Sequence, residues 1–163
     1  MQKFKLRPLG SYRYLYFDAT YEKVRYEGSV RSLAVLKAVG VNKEGIREVL
    51  GVSCSLFEAE VHWRSFMEDL LKCGLHGVEL IVSDSHQGLR KALEAIFPSV
   101  RWQRCLFHLA QNAGAQASSA SMRAELCNVV KEIYQAADRQ EAELGLRKAV
   151  GVYREKASKF CDW

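Results

Sequence analysis

The chain has 163 residues, 48% of them hydrophobic and 26% charged, with a formal net charge of +5. That length suits one domain with a real core, the mild basicity permits a polyanionic partner without requiring one, and no apolar run approaches the roughly 18 residues of a membrane span. The opening MQKFKLRPLGS lacks an apolar signal segment, and five cysteines at unpaired spacings read as reduced thiols, so the reading is a cytoplasmic protein.

The first fifty residues read as strands. RYLYFDATYEKV (13–24) is predominantly aromatic and aliphatic and reads as a strand buried on both faces. An ionised Asp18 inside it calls for a metal, a basic partner or a shifted pKa. SVRSLAVLKAVGV (29–41) follows the turn residue Gly28, and IREVLGVSC (46–54) follows NKEG, which predicts an antiparallel three-strand meander.

The pattern then changes to a helical period. Ser55 and Glu58 have capping-box spacing, and Leu56, Ala59, Trp63, Phe66, Met67, Leu70 and Leu71 recur every three or four residues before Gly74. VELIVSD (78–84) is a short apolar strand. A helix with Leu89, Ala92, Leu93 and Ile96 on one face ends before Pro98, and VRWQRCLF (100–107) reads as a fifth strand. From His108 the chain is helical, with further helices predicted near 121–137 and 138–159.

The order β-β-β-α-β-α-β predicts an α/β fold: a mixed five-stranded sheet flanked by helices, followed by an incomplete helical insertion. That order resembles ribonuclease-H-like nucleases, which carry one acid midway along strand one and another at the end of strand four. Asp18 and Asp84 fall at those two places.

Ligands collect at the carboxyl ends of parallel strands, so neighbouring first and fourth strands would bring both acids to one sheet edge. Two like charges there repel unless a divalent cation lies between them. Mg²⁺ is a hard ion commonly held by one or two carboxylates with phosphate oxygens, and a metal pair would serve phosphodiester displacement. The plainer alternatives are a salt bridge from Asp18 to Lys or Arg and a helix-capping role for Asp84.

Four segments, DATYEKVR (18–25), AVGVNKEGIREVLG (38–51), SDSHQGL (83–89) and WQRCLFHLAQN (102–112), make the chain resemble the Mutator-type family of bacterial insertion-sequence transposases. The resemblance implies a ribonuclease-H-like catalytic core with an Asp-Asp-Glu triad. Asp18 would be its first acid and Asp84 its second, together holding Mg²⁺ or Mn²⁺. Cys105 and His108 fill the family's Cys-x-x-His motif. A zinc site needs four ligands and no second pair stands at suitable spacing, so Cys105 reads as a packed core thiol. His108 is expected at the site, near the scissile phosphate or an acid it orients. His86 and Arg104 are expected to bind substrate, with solvent capping the plainer role for His86. Trp102 reads as packing rather than base stacking, and Gly88 as a point of close approach.

The resemblance further implies residues 1–107 as the core and 108–163 as the start of the insertion. The family's third acid lies on a helix beyond that insertion. Glu125, Glu132, Glu141, Glu143 and Glu155 read as exposed-face charges, and none takes that role. The expectation is therefore a transposase piece lacking the family's N-terminal DNA-binding region and the last acid, weak in metal binding and inactive alone. Its expected partners are double-stranded DNA, meaning transposon ends and target, and further transposase copies, with no membrane. The alternative is a catalytically dead DNA-binding or interaction remnant that pairs with full-length transposase.

Overall fold

The computed structural model describes residues 7–163. The meander forms as expected: β1 (Tyr14–Tyr26), β2 (Ser29–Val41) and β3 (Arg47–Ser55) run antiparallel. Glu27 and Gly28 turn β1 into β2 with φ of 48° and 74°. Positive φ at both central residues matches the twist of a two-residue hairpin, and glycine takes it without a Cβ penalty. In the next turn the Asn42 side chain accepts the backbone N–H groups of Glu44 and Ile46.

β1 is not buried on both faces. Leu15 and Phe17 are buried, whereas Tyr16 between them is 38% exposed. Period-two alternation therefore puts one side of β1 in the core and the Asp18 side toward a polar surface. The continuous apolar run concealed this because tyrosine serves on either kind of face.

Helix α1 (Glu60–Lys72) covers the core side with Trp63, Phe66, Met67 and Leu70. The Trp63 and Phe66 rings meet Phe17 edge-on at centroid distances of 6.0 and 6.4 Å. Burying each such aromatic contributes about 2–3 kcal/mol. The expected capping box does not form: Ala59 is the N-cap residue without a side-chain bond, Ser55 donates to the Phe57 carbonyl, and Leu56 and Leu71 stay exposed.

Strand β4 (Leu80–Ser83) pairs parallel with β1, helix α2 (Gln87–Ile96) buries Leu89, Ala92 and Leu93, and β5 (Arg101–Arg104) pairs parallel with β4. The sheet order is β3-β2-β1-β4-β5. This is the mixed, ribonuclease-H-like sheet that the element order predicted. β5 stops at Arg104 rather than Phe107, because Leu106 and Phe107 already belong to the next helix and are exposed.

The chain divides into two compact units after Arg104. The second contains α3 (Leu106–Gly114), α4 (Ala120–Tyr134), α5 (Arg139–Tyr153) and the short α6 (Ser158–Asp162). The stretch expected as one helix over 138–159 is thus two. Ser119 and Asp138 cap α4 and α5 by accepting the N–H groups of Met122 and Glu141. Their core combines Ala110, Ala113, Leu126, Val130, Ala149, Tyr153, Ala157 and Phe160. Among the described residues, no helix is long and apolar enough to cross a membrane.

Candidate active site

The parallel ladder between β1 and β4 aligns Tyr14 with Leu80 and, at its far end, Phe17 with Ser83. Its beginning is fastened twice. The Arg13 carbonyl accepts the N–H groups of Glu79 and Leu80 at 2.8 and 3.2 Å, and the Arg13 guanidinium grips the Glu79 carboxylate through two bonds of 3.1 and 2.9 Å. Those charged bonds raise the Arg13 pKa and lower that of Glu79.

Asp18 and Asp84 each follow the last pair of this ladder, on neighbouring strands spaced about 4.8 Å apart. Phe17 and Ser83 face the core at 2% exposure each, so Asp18, next in the alternation, belongs to the opposite face. Asp84 leaves the strand there, and its Oδ1 accepts the Ser85 N–H at 2.7 Å.

Asp18 already has a cation. Lys37, directly opposite on β2, brings its Nζ to 3.1 Å from Asp18 Oδ2, with side chains 36% and 40% exposed. The basic partner weighed from sequence is therefore present, and its identity was the missing piece. Lys37 interrupts the alternating Val35 and Val39 of β2, a visible anomaly, but its partner follows only from the hairpin register.

His86 precedes α2, with Nδ1 lying 3.1 Å from Glu58 Oε1 and off the line of a hydrogen bond. The same Glu58 oxygen accepts Trp63 Nε1–H at 3.0 Å, and its side chain is only 10% exposed. Glu58 thus joins the core helix to the segment following Asp84, a role hidden in sequence by its capping-box spacing. A Cβ on Gly88 would lie 2.9 Å from the Glu60 nitrogen, so the close approach at Gly88 is by backbone.

Trp102 packs as expected. Its Nε1–H donates to Ser83 Oγ at 2.9 Å, and the Arg90 guanidinium carbon lies 3.7 Å from its ring centroid. Arg104 is in register with Ser83. It reaches the same end of the sheet as the acids, but alternation assigns it to the core-side face, opposite Asp18. Gln103 shares the face of Asp18.

In the second unit, His108 stands in the first turn of α3 with the Phe107 ring at 5.5 Å. Cys105 is the N-cap residue of α3 and is half-buried, not a core thiol, because the strand ends before it. Of the glutamates weighed, Glu125 accepts the Tyr153 hydroxyl, Glu141 accepts the Ala137 N–H, and Glu143 pairs with Arg139. Among the described residues, no group of three or more His, Cys, Asp or Glu side chains converges as a metal site.

The profile of the Mutator family of transposases matches residues 1–163. The chain belongs to that family. This Mutator-family chain is 45% identical over 163 residues to the transposase of insertion sequence IS406 from Burkholderia multivorans, covering 100% of the chain and 42% of the relative. It is 36% identical over 152 residues to the ISRM5 transposase of Rhizobium meliloti, covering 93% of the chain and 38% of the relative. The chain therefore spans well under half the length of these relatives. Among solved structures, a simian T-cell lymphotropic virus intasome chain aligns with 85% of this chain and 48% of its own length, at TM-score 0.42 and 13% identity. The fold assignment rests on the strand order itself.

Proposed function

We propose that the chain contributes the first two acids of a metal-dependent transposase centre that cleaves and transfers DNA strands at insertion-sequence ends. The observation that supports this reading is the β1–β4 register, whose last pair, Phe17 and Ser83, is followed on the two strands by Asp18 and Asp84. Both offer hard carboxylate oxygens at partly exposed positions, a donor set suited to Mg²⁺ or Mn²⁺, and Asp18 already attracts the Lys37 ammonium. When bound, such an ion polarises a phosphoryl oxygen and lowers the pKa of water.

The protein's own part is positioning. Arg13 and Glu79 hold the ladder from its start, and the Ser85 N–H orients Asp84. Lys37 balances the charge on Asp18, a carboxylate that would hold the cation together with Asp84. His86, lying near Glu58, would meet substrate arriving beside Asp84, and Arg104 would add positive charge at that end of the sheet. Double-stranded DNA and a further transposase copy are the partners. Transposition is proposed at the length of the relatives, of which this chain covers 42% and 38%.

A second reading is favoured by the lack of a three-donor cluster among the described residues. On it, the chain by itself binds DNA or transposase without cutting. Isothermal titration with Mn²⁺ tests the shared site: binding to the parent and its loss in Asp18→Asn is expected, and equal binding by both removes the site. Metal-dependent nicking of supercoiled DNA that disappears in Asp84→Ala supports catalysis, whereas DNA binding without nicking supports the second reading.

A further inference from the structure

The β1–β2 hairpin outruns the sheet. β4 stops pairing with β1 at Phe17, and β3 stops pairing with β2 at Ala34, opposite Tyr21. From Glu22 opposite Leu33 to Tyr26 opposite Ser29, the strands pair only with one another. At about 3.3 Å per residue this free ribbon extends roughly 15 Å.

Its two faces differ. Leu15, Phe17 and Ala19 follow the core side of β1, and the same side continues as Tyr21, Lys23 and Arg25, all exposed. Their cross-strand partners are Ala34, Ser32 and Val30, so no carboxylate lies on that ribbon face. Among the described residues, neither Lys23 nor Arg25 forms an ion pair. The other face carries Glu22, Val24 and Tyr26, with Arg31 over the Tyr26 ring at 5.6 Å and 4.0 Å from Glu27. This side of the strand is thus apolar inside the domain and basic outside it.

We infer that this ribbon is a duplex-DNA contact, with Lys23 and Arg25 on phosphates and Tyr21 beside them. The inference rests on the DNA-transposase reading above and adds a binding element to it. Three features select a duplex: one-sided positive charge, an exposed tyrosine able to bond a phosphate or sugar, and a ribbon of the kind the roughly 12 Å major groove admits. Lys23 is five residues beyond Asp18 on the same strand, about 16 Å along it, and alternation puts it on the opposite face, so the ribbon is a contact separate from the acid pair.

The test is fluorescence anisotropy of a labelled duplex with the 163-residue chain in EDTA, across about 50–200 mM salt. Lys23→Gln with Arg25→Gln is expected to weaken binding roughly 10- to 50-fold near 0.1 M salt and to reduce the log–log salt slope by about 2. Lys43→Gln with Lys72→Gln removes equal charge at the other end of the sheet and is expected to cost no more than about threefold. Exchanging Lys23→Arg and Arg25→Lys keeps the charge and is expected to retain binding. Parent binding with equal losses in the two Gln variants overturns the ribbon contact alone. A parent without salt-sensitive duplex binding overturns it together with the DNA reading.

Discussion

Asp18 shows how one side chain is read differently by sequence and by structure. As a charge in an apolar run it required a counter-charge, and Lys37 supplies one at 3.1 Å. This half-exposed pair contributes about 0.5–1 kcal/mol and competes with any metal at the same oxygen. Lys37→Met is therefore expected to tighten Mn²⁺ binding about two- to fivefold by calorimetry, and weaker binding would mean that Lys37 supports the site instead. Tyr153 illustrates a different local effect. Burial first, and then donation to Glu125, push its hydroxyl up to about 12. A raised pKa means stabilisation that is whole below the ordinary tyrosine value near 10 and is lost as pH climbs through 12. Absorbance titration near 295 nm should show late-titrating tyrosine, since burial and Glu48 also raise Tyr12, and Tyr153→Phe should remove the part near 12. That variant should also cost about 1 kcal/mol in urea denaturation.

At the scale of elements, the β1–β4 ladder decides whether two distant acids meet. It is short, and its register is held at one end by the Arg13–Glu79 grip and at the other by Ser83, locked between its own neighbour's carbonyl and Trp102. The turn leading from Asp84 into α2 is fitted closely against the start of α1 at Gly88. There a Cβ would lie 2.9 Å from the Glu60 nitrogen and 3.3 Å from the Ala59 carbonyl carbon. Backbone atoms yield less readily than side chains, so Gly88→Ala should cost about 1–3 kcal/mol in urea denaturation. A cost below about 0.5 kcal/mol would show that the turn is free to move.

For the molecule as a whole, two separate cores define two units. The first is organised around Phe17, which is 2% exposed and meets Trp63, Phe66 and Phe97. Phe17→Ala should remove about 3–5 kcal/mol, read as lost amide-exchange protection across β1, β2 and β4. Protection retained there would place the stability of the sheet elsewhere. Because Phe17 immediately precedes Asp18, the same aromatic cluster that stabilises the sheet also fixes the strand on which the candidate site stands.

The order and type of the elements were legible in the sequence because a period of two and a period of about 3.6 are local properties. For the same reason Trp63, Phe66, Met67 and Leu70 could be assigned to one buried stripe, and the four quoted segments already carried the family resemblance. The partner of Asp18, the true use of Glu58, the end of β5 at Arg104 and the face on which Arg104 lies were not legible. Each depends on cross-strand register or on packing between segments remote along the chain. Local patterns can place a charge on a strand, but only the assembled sheet decides which neighbour it meets.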